Sequence, residues 1–171
     1  GSGKSTLTGS ALRRFPAHSV QISFSDPINH MLAAMGVPDA ILHNKSRWNE
    51  PVDVLCGHSC CYAATTLGTE WGRNYIGDDV WTRIALNRAS DYRNRGYHVI
   101  IDNCRFPSEF DALKASGAHM IALYRGDLQP DLSHSSECHI AELQERCDGH
   151  LHNIGTIAES VEMLRVIFRG I

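Results

Sequence analysis

Six consecutive residues, Gly1-Ser2-Gly3-Lys4-Ser5-Thr6, have the types and spacing to hold a polyphosphate. They match the second half of a phosphate-binding loop, G-x-x-x-x-G-K-[ST]. Gly3 lets the backbone approach phosphate with no side chain in the way. Successive N–H groups at the start of a helix form a cradle for phosphate oxygens. Lys4 can reach the β- and γ-phosphates, and the Ser5 hydroxyl can ligate Mg²⁺. The first glycine of the motif would precede residue 1, as would the strand that feeds such a loop. On this reading the chain is expected to be a fragment of a longer gene product. The competing reading is a Gly-Ser remnant followed by a chance G-K-S-T.

Three further stretches carry chemistry after apolar strands: Ser25-Asp26-Pro27, then Asp102-Asn103-Cys104-Arg105-Phe106-Pro107, then Arg125 with its polar loop. In parallel sheets, ligands sit at the carboxyl ends of strands. An acid there can hold Mg²⁺ or orient a hydroxyl. Arg105 and Arg125 can aim positive charge at a phosphoryl group in transfer. Cys56-x-His58-x-Cys60-Cys61 and Cys138…Cys147-x-x-His150-x-His152 hold ligand-type residues, but neither has a common zinc spacing. They are read as packing or surface residues.

The elements that position these residues alternate between helix and strand. A helix is expected from Lys4 to Arg14, closed by Pro16. Ser19 to Phe24 alternates as a strand with Val20, Ile22 and Phe24 on one face. A helix follows from Asp26, as N-cap with Pro27 at the first position, to Met35. Residues 36–53 read as loop, Val54 to Leu67 as helix, and Gly68 to Arg73 as turn-rich. Asp78 or Asp79 starts a helix reaching Asn94. Tyr97 to Ile101 reads as a buried parallel strand, Pro107 to Ser116 as a helix, and His119 to Tyr124 as a strand. Glu137 to Cys147 reads as a helix, His150 to Ile154 as a strand, and Ile157 to Phe168 as the last helix. The pattern predicts an α/β domain built on a parallel sheet.

Composition narrows the setting. The chain has 171 residues, 43% hydrophobic and 20% charged, with a net charge of -3. That balance gives no electrostatic case for a nucleic-acid polymer as partner. No apolar run approaches the ~20 residues of a membrane span. The six cysteines are irregularly spaced and read as reduced thiols of a cytoplasmic protein.

The run Thr66-Leu67-Gly68-Thr69-Glu70-Trp71-Gly72-Arg73, followed by Trp81, resembles the bacteriophage deoxynucleoside monophosphate kinases. So do Arg105-Phe106-Pro107-x-Glu109, Ser133-His134-x-Ser136-Glu137 and Asn153-x-Gly155-Thr156. They occur in the family's order and at near-family spacing, over essentially the whole chain. The resemblance implies a three-layer α/β fold of the phosphate-loop NTPase type, a parallel sheet flanked by helices, with its first strand absent from this chain. It implies a single domain over 1–171, a helical acceptor-binding insertion at 27–95 and a lid at 126–137.

It also implies roles. Gly1, Ser2, Gly3, Lys4, Ser5 and Thr6 would hold the phosphates of ATP, with Ser5 and Asp102 on Mg²⁺. Lys4, Asp102, Arg105 and Glu109 would be catalytic. Arg125, His134 and Glu137 would meet ATP at the lid, and Asn153 would lie near adenine. Asp26, Gly68, Thr69, Trp71, Arg73 and Trp81 would surround the acceptor monophosphate. Arg73 is the first choice for its phosphate, because a guanidinium fork matches phosphate geometry. Trp71 and Trp81 would stack on the base, wall the pocket or fill the core. The chain departs from the family in three places. Asn103 stands in the usual Asp slot, with Asp102 one position earlier, so either can fill that role. Cys60, Cys61 and Tyr62 stand where members often carry an Arg, and Ile154 replaces an acid.

The expected activity is Mg²⁺-dependent transfer of the γ-phosphoryl of ATP to a deoxynucleoside monophosphate, giving the diphosphate. The alternatives are another small-metabolite kinase, such as a dephospho-coenzyme A kinase, and a truncated relative that binds nucleotide without catalysis. The expected partners are small-molecule nucleotides, with a homodimer left open and neither nucleic-acid polymer nor membrane.

Overall fold

The computed structural model describes residues 7–10, 12, 18–124, 140–152 and 155–169. Among these, the β-branched and apolar runs pair in parallel. β1 (Ser19–Ile22) lies beside β2 (His98–Ile101), with Ser19 opposite His98 and Ile22 opposite Ile101. β3 (Ile121–Tyr124) lies beside β4 (Gly149–His152), with Tyr124 opposite His152. Parallel neighbours cannot be joined by a hairpin, and helices make the crossovers. The architecture is mixed α/β with parallel strands. The sequence predicts one sheet, whereas the described ladders form two sheets of two strands. β2 was expected to be buried, yet none of its residues is. Val99, Ile100 and Ile101 are half-buried.

The chain divides into two compact units, Gly1–Ile22 with Leu86–Ile171, and Ser23–Ala85. The second unit is helical: α1 (Asp26–Ala34), α2 (Asp39–Leu42), 3₁₀ turns at Lys45–Arg47 and Asp53–Leu55, α3 (Cys60–Thr65), and a π-helix over Thr66–Ile76. α4 (Val80–Asn94) carries the chain into the first unit, where α5 (Pro107–Ala115), α6 (Ile140–Glu145) and α7 (Ile157–Arg169) follow. The core of the helical unit includes Phe24, Ile28, Leu32, Ile41, Leu55, Cys60 and Trp81. In the first unit Leu7, Leu151 and Val161 are buried together, with Ile121, Leu123 and Leu164 packed against them.

Local chemistry explains where the boundaries depart from expectation. Ser25, not Asp26, is the N-cap of α1, and Asp26 is its first residue. The Asp26 carboxylate turns back to accept the Ser23 N–H at 3.0 Å. Residues 36–53 contain α2 and a 3₁₀ turn rather than loop alone. The helix expected from Val54 is broken because Cys56 (φ 55) and Gly57 (φ 80) take left-handed backbone. It restarts at Cys60, where Ser59 Oγ accepts the Tyr62 N–H. β1 ends at Ile22, two residues short of Phe24, and β3 begins at Ile121.

Two carboxylates brace the first unit. Asp148 Oδ2 accepts the Met120 N–H at 2.7 Å, and its Oδ1 meets Lys114 Nζ. This ties the entry of β3, the end of α5 and the start of β4 together. Glu159 accepts the Thr156 N–H at 2.7 Å while Thr156 Oγ1 accepts the Glu159 N–H at 3.2 Å, a reciprocal cap on α7. Among the described residues, no helix is long and apolar enough to cross a membrane.

Candidate functional site

Ile22 and Ile101 close one parallel ladder at the same sheet edge, and the chain leaves β2 there through Asp102 to Phe106. Pro107 then begins α5, with its fixed φ suited to the first turn. Phe106 at the N-cap has no oxygen with which to hold the first N–H groups of the helix. Glu109, buried at 3% exposure, reaches back instead. Its Oε2 accepts the Arg105 N–H at 2.9 Å and the Phe106 N–H at 3.2 Å. Glu109 therefore fixes the backbone that presents Arg105, an exposed residue. Cys104 sits within the same loop. Burial, with Glu109 adding to it, pushes its thiol up to about 12.

Asp102 and Asn103 are both half-buried at the start of this loop. Mg²⁺ typically takes one or two carboxylates together with substrate phosphates, and Asp102 fits that donor set. Ser5, its expected companion, lies outside the described residues. No three His, Cys, Asp or Glu of the described residues are grouped to hold a metal. Cys56, Cys60, Cys61, Cys104 and Cys147 carry free thiols. His58 stacks on Tyr62, with ring centroids 4.4 Å apart.

The second constellation is internal to the helical unit. The stretch expected as turns is helical throughout, and of the wide π type over Thr66–Ile76. Its i→i+5 bonding closes with the Gly77 N–H on Gly72 O at 2.9 Å. Two glycines let other groups come close to this helix. A Cβ on Gly72 would stand 2.6 Å from Trp81 Cε2 and 2.7 Å from its Nε1, so the indole lies against bare backbone. A Cβ on Gly68 would stand 3.1 Å from Ile28 Cδ1, so α1 also reaches this helix. Trp81 Nε1 donates to Gly68 O at 2.8 Å. Trp81 is thus a buried wall at 4% exposure, while Trp71 is 42% exposed, with its ring centroid 6.1 Å from that of Trp81. Thr69 and Glu70 are exposed, and Glu70 accepts from Asn74. Arg73 donates to Asp78 O at 3.3 Å and lies 3.7 Å from its carboxylate.

The predicted site residues therefore fall into two sets. Asp102 and Arg105 lie on the loop after β2 and Glu109 in the first turn of α5, all within the first unit. Asp26, Gly68, Thr69, Trp71, Arg73 and Trp81 belong to the helical unit, where Ile28 against Gly68 brings α1 to the π-helix. Gly1 to Thr6, Arg125, His134, Glu137 and Asn153 lie outside the described residues, as does the lid at 126–137. Sequence reasoning missed Asp78, the partner of Arg73, although G-D-D at 77–79 marks a turn where an acid could fold back.

Compared with known proteins, the chain matches no family model and no curated protein.

Proposed function

We propose that this protein is a Mg²⁺- and ATP-dependent deoxynucleoside monophosphate kinase of the three-layer phosphate-loop type. The observation that carries this reading is where the motif loops begin. Two parallel ladders end at Ile22 with Ile101 and at Tyr124 with His152. In sequence, the residues that follow lead to Asp26, Asp102, Arg105, Arg125 and Asn153. The acid- and arginine-bearing stretches thus follow the strand ends at which parallel sheets bind ligands.

The roles then divide by unit. Lys4 and the amides of Gly1 to Thr6 would bind the phosphates of ATP. Ser5 and Asp102 would hold Mg²⁺, which when bound neutralises charge on the transferring group. Arg105, presented by the backbone that Glu109 fixes, would stabilise the charge of the transferring phosphoryl group. Glu109 acts here as a positioning residue. Arg73 would bind the acceptor phosphate, Trp71 would offer its exposed face to the base, and Trp81 would support the π-helix from within. An acceptor phosphate is already ionised near neutral pH, so Asn103 in the usual acidic slot leaves the chemistry intact. Free thiols fit a reducing, cytoplasmic setting.

The test is ADP release from ATP by full-length protein with each of the four deoxynucleoside monophosphates. Turnover with at least one, lost in Lys4→Ala, supports the kinase. Nucleotide binding without turnover would replace it by a non-catalytic binder, and turnover with dephospho-coenzyme A alone by a different kinase.

A further inference from the structure

One polar atom of the helical unit is buried without a hydrogen-bond partner among the described residues, the side-chain oxygen Oδ1 of Asn29. Native interiors rarely leave a carbonyl oxygen unpaired, because a buried acceptor that has lost water keeps its full desolvation cost. Asn29 lies one turn beyond Asp26 on α1 and directly after Ile28, the residue that meets Gly68 of the π-helix. It therefore shares a helix face with Asp26, one of the residues assigned above to the acceptor nucleotide, on the helix that meets the π-helix through Ile28. The residue as a whole is half-buried.

We infer that Asn29 is an acceptor-binding residue, whose Oδ1 takes a hydrogen bond from an O–H or N–H of the acceptor nucleoside. This rests on the kinase reading. A carbonyl oxygen repels phosphate, so the matching group is a donor: the sugar 3′-hydroxyl or an exocyclic base amine. Rotation about the side-chain bonds brings the oxygen to the incoming nucleoside. The unpaired state belongs to the protein before the acceptor binds.

The experiment is a kinetic cycle on full-length protein with ATP and Mg²⁺. Wild type and Asn29→Ala are compared with deoxynucleoside monophosphates and their 2′,3′-dideoxy counterparts, which lack the hydroxyl. A second arm compares dCMP and dAMP with dTMP, which lacks an exocyclic amine. Loss of one neutral hydrogen bond corresponds to a factor of roughly three to ten in affinity. In wild type the acceptor KM rises by about that factor when the responsible donor is removed. In Asn29→Ala the parent KM rises equally, and removing the donor has no further effect. The KM for ATP is unchanged, and the melting temperature stays at or above wild type because an unpaired carbonyl is gone. Discrimination that persists in Asn29→Ala, or an unchanged KM with a lowered melting temperature, overturns the inference and makes Asn29 a structural residue satisfied by water. Should the variant fail to fold, the wild-type series still decides, since equal KM values across both arms overturn it. Wild type that turns over while the cycle shows no coupling removes only Asn29. Wild type that neither binds nor phosphorylates any of the four removes the kinase reading as well.

Discussion

Substituting Gly72 by Ala tests whether the π-helix is built around Trp81. The added Cβ would stand 2.6 Å from Cε2 and 2.7 Å from Nε1 of a side chain that is 4% exposed. A rigid, buried indole cannot swing aside as the end of a lysine could. Overpacking of this kind costs about 1–3 kcal/mol. If the ring moves to relieve it, the 2.8 Å bond from Nε1 to Gly68 O stretches or breaks, adding about 1 kcal/mol. The expected destabilisation is about 2–4 kcal/mol, or about 4–16 °C in melting temperature for a chain of this size. Urea unfolding followed by tryptophan fluorescence measures it. Trp81→Phe removes the indole N–H and vacates part of the contact. The double variant should therefore be more stable than the sum of the single effects predicts, by at least about 1 kcal/mol. Gly72→Ala within about 0.5 kcal/mol of wild type, or strict additivity with Trp81→Phe, would refute this packing. Under the kinase reading, Gly72→Ala also raises the acceptor KM more than the ATP KM.

Three other perturbations follow from the first unit. Glu109→Ala removes the buried carboxylate that accepts the Arg105 and Phe106 N–H groups and should cost about 2–4 kcal/mol in urea unfolding, with a lowered kcat; an effect below about 0.5 kcal/mol contradicts the bracing role. The Lys114 ammonium, and then the Met120 N–H, hold the Asp148 carboxyl below the usual carboxylate range. Its contribution to stability is present above the unfolded pKa of about 3.9 and fades as pH falls through the folded value, so the wild-type advantage over Asp148→Asn should shrink below about pH 4. A constant difference from pH 7 to pH 3 would count against that. Cys104, pushed up to about 12, should resist iodoacetamide at pH 8 while exposed Cys56 and Cys61 react, as peptide mass spectrometry would show. Rapid alkylation of Cys104 in folded protein would be the contrary result.

What could be read in advance follows the kind of signal each residue gives. Pro27, Pro107 and the glycines at 36, 96 and 117 punctuate helices through backbone chemistry, and those helices fall within a residue or two of expectation. β1 was legible by its alternation and β2 as an apolar run between helical stretches. The incomplete burial of β2 was not, because burial depends on neighbours that a four-residue run does not name. The π-helix escaped notice because hydrophobic periodicity tests for 3.6 and 2 residues, and because Gly68 and Gly72 read as turn residues. Here they serve close packing against Ile28 and Trp81. Glu109 was visible as a site residue, but its bracing role lies in its position three residues after an N-cap that cannot cap itself. Trp71 and Trp81 look alike in sequence, and only the fold separates the exposed ring from the buried one.

Phosphorus-31 spectroscopy of full-length protein with ATP, Mg²⁺ and the four deoxynucleoside monophosphates tests the central claim most directly. The account predicts that a monophosphate signal declines as the paired resonances of its diphosphate and of ADP grow together, in equal amounts. Inorganic phosphate growing in their place, or no change with any of the four, would contradict it.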